Sequence, residues 1–398
     1  MLKVFGKEIG LLPLVIVAII TGTIAGLFMP EFVVRIFATF NGLFSNFLSF
    51  AIPLIILGLV ISGIADMGKN AGSMLIITIA IAYTSTVFSG LLTYFVCSTA
   101  FPFLISGQTA ANVDSTVSMS LAPYFNIAIP PLFDVMTALV LSFIIGIGIT
   151  TFQGKVLKNF FDEFKAIIEK LIANIIIPLL PVFIFGIFLN MSYSGEAFEI
   201  MSVFGKVIVL IILLSIVLLL IQFTIAGAIS GINPFIALKN MLPAYMTALG
   251  TSSSAATIPV TLGQVKKIGV RHDVAEFCVP LCATIHLSGS TMKIVGMALA
   301  IMWYDSMPID FLTILGFIFM LGIVMIAAPG VPGGAIMAAI AVLQSILGFS
   351  EQNIALMIAV YIAIDSFGTA CNVTGDGAIS LIVNKFALNK SKNELVQN

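Results

Sequence analysis

Long apolar runs dominate this chain, divided by short clusters of Gly, Pro, Asn and charged residues. A helix needs about 20 apolar residues to cross a bilayer. On that length the pattern predicts spans at about Leu11–Met29, Ile36–Ile64, Met74–Ala100, Pro131–Thr151, Ile167–Asn190 and Ile200–Ile229. The pattern then changes. Phe235–Gly269 is broken by Gly250 and a run of small residues, and Phe311–Leu347 breaks at Ala328–Gly334. Each broken stretch is followed by a long apolar helix with polar residues in its middle, Ala275–Trp303 and Ile354–Leu388. The expected fold is an all-α polytopic membrane protein of eight transmembrane helices plus two re-entrant helical hairpins, at about 234–269 and 309–348.

Composition narrows the classes. Hydrophobic residues make up 60% of the chain and charged residues 9%, against roughly 25% charged in a typical soluble domain. Mean hydropathy is +1.18 and net charge −1. So little charge cannot cover a soluble surface, no basic patch meets nucleic acid, and the hydrophobicity excludes disorder. The basic residues also set an orientation. Lys3, Lys7, Lys69, Lys155, Lys158, Lys165, Lys170, Lys239, Lys266, Lys267, Arg271, Lys385, Lys390 and Lys392 fall on one side if both broken stretches enter and leave on one face. The positive-inside rule then places both termini in the cytoplasm and the Phe101–Pro130 loop outside. Arg35 and Lys206 fall opposite, and Lys293 lies inside a span. The first apolar run lacks a small-residue cleavage site and reads as a span rather than a leader. Gln153–Lys170 reads as an interfacial amphipathic stretch. Cys97, Cys278, Cys282 and Cys371 read as apolar packing residues rather than metal ligands.

Non-helical backbone at membrane depth is tolerated where protein buries it or water lines it, so the two breaks mark a site. The first, Gly250-Thr251-Ser252-Ser253-Ser254-Ala255-Ala256-Thr257-Ile258-Pro259, offers free N–H groups and helix ends to an anion. The second, Ala328-Pro329-Gly330-Val331-Pro332-Gly333-Gly334, suits a turn between half-helices. Asp365, Asn372 and Asp376 are spaced to share one helical face. Carboxylates buried in lipid need partners. One suits an ammonium group, and an Asn with an Asp one turn on suits a small hard cation.

Four motifs in order, Thr251–Pro259, Ala283–Ser290, Gly330–Met337 and the Asn-Val-Thr-Gly-Asp string Asn372–Asp376, resemble the dicarboxylate/amino acid:cation symporter family, which includes glutamate transporters. The resemblance covers the whole chain. It implies inverted repeats, a homotrimer in the cell membrane and an elevator-type movement. A scaffold domain (residues 1–70 and 130–220) would hold a transport domain (71–129 and 221–398), with the second hairpin as gate. It also implies residue roles. Backbone N–H groups of Ser253 and Ser254 meet the substrate carboxylate, Asn372 adds a donor, Asp365 takes the amino group, and the Val331 carbonyl helps it. Ser252, Ser290, Gly334, Gly368 and Thr369 complete the substrate site. Asp376 and the Asn372 carbonyl hold one cation, and the Thr284 and Leu287 carbonyls another. Na⁺ is the expected coupling ion, with H⁺ as the alternative.

The departures from the family pattern bear on substrate and ion. Gly368 stands where acidic-amino-acid transporters carry Arg, which pairs bidentately with a distal carboxylate. Ser288 replaces an Asp of a third sodium site, and the second tip is one residue shorter. The substrate is therefore expected to be a neutral amino acid, with an acidic one or a C4-dicarboxylate as the alternative if Lys293 reaches the vacated space. Lys293 is expected to supply the missing sodium's charge beside Asp376 or Asp365, against a bland reading as a snorkelling side chain. His286 is expected to be a satisfied neutral core residue, against a proton-sensitive one. An intramembrane Ser–His–Asp hydrolase and a dedicated channel are weaker classes: three adjacent serines are no nucleophile elbow, and a pore needs no gating hairpins.

Overall fold

The computed structural model describes residues 2–4, 7–9, 11–67, 73–105, 121–133, 135–152, 154–195, 197–326, 328 and 333–397. A short antiparallel ribbon, β1 (Leu2–Val4) and β2 (Lys7–Ile9), pairs Leu2 with Ile9 and precedes the helices. Then follow α1 (Leu11–Gly26), α2 (Glu31–Met67), α3 (Ser73–Leu104) and α4 (Val135–Phe152). Next, α5 (Lys155–Leu171) runs through a π-helical turn, Ile172–Ile176, into α6 (Ile177–Tyr193). The remaining elements are α7 (Ala197–Ser230), α8 (Pro234–Thr251), α9 (Ser254–Lys267), α10 (His272–Ile285), α11 (Ser288–Tyr304), α12 (Phe311–Met325), α13 (Gly334–Leu347), α14 (Glu351–Ala363) and α15 (Asp365–Gln397). By length and composition, five described helical stretches can cross a membrane, and the bent pair α14–α15 makes a sixth. Four shorter apolar helices lie within α1, α4, α12 and α13.

Two groups of helices pack among themselves. α1, α2, α4, α5 and α6 form one. Close approach of α1 to α6 rests on Gly22 and Gly26, a small-xxx-small pair that presents bare backbone to a neighbour. A Cβ on Gly22 would lie 2.6 Å from the Phe185 carbonyl oxygen, and the Ser192 hydroxyl donates to the Thr23 carbonyl across the same seam. Backbone cannot yield as a side-chain tip can. Gly22→Ala is therefore expected to cost about 1–3 kcal/mol by overpacking, read as a lowered melting temperature in detergent; an unchanged melt would show that the seam relaxes freely. The amphipathic α5 buries Phe161 and Ile168 against α2, where the Ser62 hydroxyl donates to the Phe161 carbonyl.

The second group centres on α11 and α15, with α3, α7, α8, α9 and α10 around them. From Ser288 to Met302 every residue of α11 is buried. Both broken stretches are helical hairpins, α8–α9 and α12–α13, each packed along itself. Caps explain their starts: Asn233 accepts from Phe235 and Ile236 N–H, Ser253 from Ala256 N–H, and Asp310 from Thr313 N–H. Those Thr313 bonds, backbone first, hold the exposed Asp310 carboxyl below its usual range.

The pattern also predicts two unbroken helices that the structure breaks. Helix α10 ends at Ile285, extended backbone follows at His286, and α11 restarts at Ser288. Helix α14 ends at Ala363, and α15 leaves at 63° after Ile364.

Candidate functional site

The two broken helices pack against each other through α11 and α15. The first turn of α11 has backbone N–H groups with no acceptor inside the helix, and its own N-cap residue, Leu287, supplies no side-chain cap. Asn372 caps it from α15: its Oδ1 accepts from Gly289 N–H at 2.7 Å and Ser290 N–H at 3.2 Å, and its Nδ2 donates to Ser290 Oγ at 2.9 Å. Gly289 permits this approach, since a Cβ there would sit 2.6 Å from the Gly368 carbonyl oxygen.

Asp365 opens α15 and is held on both oxygens. Oδ1 accepts from Lys293 Nζ at 2.9 Å, and Oδ2 from Gly333 N–H at 2.8 Å. Gly333 has a φ of +75° as it caps α13, a left-handed conformation that suits Gly. The carboxylate thus sits at the positive end of a helix, and the second hairpin is fastened to α15. Thr369 Oγ1 donates to the Asp365 carbonyl.

Lys293 is 1% exposed, so it does not snorkel. Its ammonium also reaches the Asp365 carbonyl at 3.2 Å and lies 3.8 Å from the Tyr361 ring centroid. Its stem fills the space over Gly368, where a Cβ would overlap Cε and lie 2.6 Å from Nζ. Of the two acidic partners expected for Lys293, the structure assigns Asp365. A positive charge thus reaches the space that Gly368 vacates, but from α11.

Asp376 belongs to a second buried pair. His286 Nδ1 lies 2.9 Å from Asp376 Oδ1, and His286 Nε2 lies 3.1 Å from Ser85 Oγ. Gln222 Nε2 donates to Ser85 Oγ and to Ser288 Oγ, while the Ser89 hydroxyl donates to the Ser288 carbonyl. One neutral tautomer satisfies the chain: Gln222 donates to Ser85, Ser85 to Nε2, and Nδ1–H to Asp376. Ser288 is therefore tied to α3 and α7. Gly375 leaves room for this, since a Cβ would lie 2.7 Å from Gln222 Oε1. The Gln222 Oε1 itself is buried without a partner. Ser85, His286 and Asp376 follow the order of an acyl-transfer triad. Yet Ser85 lies mid-helix in α3, where neighbouring N–H groups bond within the helix and none is free to form an oxyanion hole.

The remaining expected residues divide. Ser252 (φ +51°) and Ser253 form the turn between α8 and α9, and both helices pack on α15. Ser254 is buried. Gly334 starts α13, buried. Val331 lies outside the described residues. Thr284 is exposed near the end of α10, and the Leu287 carbonyl accepts from Thr291 N–H. Among the described residues, no cluster of three or more His, Cys, Asp or Glu gathers as for a metal; the buried Cys278 and Cys282 join none. The sequence reading missed Ser85, Gln222 and Tyr361, and it named Gly333 only as part of the second tip. Gln222, an amide late in an apolar run, carried a signal by its cost in a membrane.

Two helical hairpins and two broken helices thus pack around the buried Lys293–Asp365 pair, beside the His286–Asp376 contact. The chain belongs to the Sodium:dicarboxylate symporter family, whose profile matches residues 11–386. It is 31% identical over 251 residues to excitatory amino acid transporter 1 of Homo sapiens, covering 62% of this chain and 45% of that protein. The Ambystoma tigrinum protein of that name is 33% identical over 236 residues, 56% of this chain and 41% of that protein. The chain thus spans a little under half the length of these curated relatives. Family and relatives alike are named as symporters or transporters, not enzymes.

Proposed function

We propose that the protein is a Na⁺-coupled symporter of a neutral amino acid in the cell membrane. The observation that carries the reading is the fastening of the second hairpin to Asp365, next to Asn372, between two broken helices. A carboxylate there can receive a cargo ammonium, and backbone N–H groups at the α8–α9 tip can receive its carboxylate. Eight spans (α1, α2, α3, α4, α5–α6, α7, α10–α11 and α14–α15) keep both termini cytoplasmic. The α1–α2–α4–α5–α6 group serves as scaffold of a homotrimer. The group around α11 and α15 moves as an elevator; α7 packs with it, so we set the domain boundary ahead of α7 rather than at 220. Thr284, Leu287, Asn372 and Asp376 supply oxygens to the coupled cations, and Asp376 reaches its cation by leaving His286.

A second reading, an acidic amino acid or C4-dicarboxylate with H⁺ coupling, is favoured by one observation: Lys293 brings its ammonium over Gly368. Counterflow in proteoliposomes separates the two. Neutral amino acids are expected to accumulate against their gradient only with inward Na⁺, and aspartate weakly. Strong aspartate uptake by the unaltered protein, driven by a pH gradient without Na⁺, would overturn the first reading.

A further inference from the structure

The clasp between Asp365 and Gly333 is formed with Lys293 in place. A buried carboxylate is stable only when its charge is met. Here one oxygen takes the N–H of Gly333, the residue that caps the start of α13, and the other takes the Lys293 ammonium. The lysine seat is built around it. The side chain is 1% exposed, an aromatic face lies under the charge, and residue 368 is the one size that leaves room for the stem. Lys293 Nζ and a cargo ammonium present the same chemistry to the same oxygen, so the two compete.

We propose that Lys293 is a tethered counter-ion: it takes the seat on Asp365 that a cargo ammonium otherwise fills, and so lets α13 fasten to α15 with no cargo bound. The consequence is a carrier whose empty form closes without a mobile cation on Asp365, and whose affinity for amine-bearing cargo is lowered by an internal competitor. The proposal rests on the symporter reading only in taking Asp365 as the seat for a cargo ammonium.

Hydrogen exchange by mass spectrometry on purified, cargo-free protein in nanodiscs tests the clasp directly. It needs no transport, so its result stands apart from the uptake assay. In the unaltered protein the start of α13, residues 333–337, is expected to be protected. Lys293→Met leaves Asp365 uncompensated, and exchange there should rise by about tenfold or more as local opening becomes easier. Lys293→Met/Asp365→Asn removes both charges, while the amide oxygen introduced on α15 still accepts from Gly333 N–H. Protection should then return to within about threefold of the unaltered protein. Unchanged exchange in Lys293→Met would overturn the proposal. So would a double variant that exchanges as fast as the single one, including where the single variant is loosened throughout.

Discussion

Gly368→Ala is expected to abolish accumulation of cargo and to lower the melting temperature, although it adds one methyl group. The added carbon overlaps Lys293 Cε and lies 2.6 Å from Nζ. The backbone has no slack, because α11 meets α15 at this level through Gly289, against the Gly368 carbonyl. Lys293 must then leave its seat. That strands Asp365 and an ammonium on a helix whose residues are buried throughout this stretch. Breaking a buried ion pair costs roughly 3–5 kcal/mol, well above the roughly 1–3 kcal/mol of simple overpacking. The test is the pairing of variants. If the lysine is the obstacle, Lys293→Met/Gly368→Ala, whose thioether chain can bend aside, should be more stable than Gly368→Ala alone. Two damaging changes would then partly cancel, the sign expected of residues in contact. A Gly368→Ala protein that melts and transports as the unaltered one does would show that Lys293 is not held as described.

The same contact shows what the sequence could and could not disclose. Hairpin positions were legible because their signals are local. The runs Gly250–Pro259 and Ala328–Gly334 mark turns whatever surrounds them, and helices α8, α9, α12 and α13 begin and end within a few residues of the expected bounds. The breaks at His286–Leu287 and Ile364 were not legible. Neither holds a Gly or Pro. They exist because α11 is capped by an amide 83 residues away in sequence and α15 starts on a carboxylate held by another element. The partner of Lys293 was legible only as a choice of two acids. His286 removes one by pairing with Asp376, leaving Asp365 for the lysine. Helical spacing and the cost of burying carboxylates singled out Asp365, Asn372 and Asp376, and the resemblance added the roles expected of them. Ser85 entered only by three-dimensional neighbourhood, as α3 packs against α11, while Gln222 stood out in its apolar run with no partner legible.

Asn372 offers the other large effect. Asn372→Ala leaves the buried Gly289 and Ser290 N–H groups without their acceptor. Each of the two stranded donors costs about 1–3 kcal/mol, so a loss of roughly 2–6 kcal/mol is expected, with transport lost as the start of α11 frays. Ser290→Ala removes the Nδ2 to Oγ bond and the Tyr361 bond to the same oxygen but keeps both backbone donors satisfied; with Nδ2 the one donor left stranded, about 1–3 kcal/mol is expected there, the smaller loss. The order of the two variants separates capping from simple side-chain contact. Thermal unfolding in detergent gives that order, and hydrogen exchange at residues 288–292 localises it: Asn372→Ala should expose these amides and Ser290→Ala should not. Equal losses in the two variants, with residues 288–292 equally protected, would mean that the trans cap does not hold α11. Asn372 would then matter only as a donor to the cargo, and its removal should weaken cargo binding while leaving the empty protein as stable as before. The predicted result instead joins the two roles. The amide that could meet the cargo's carboxylate is already engaged on α11, so cargo reaches Asn372 only by sharing Nδ2 with Ser290.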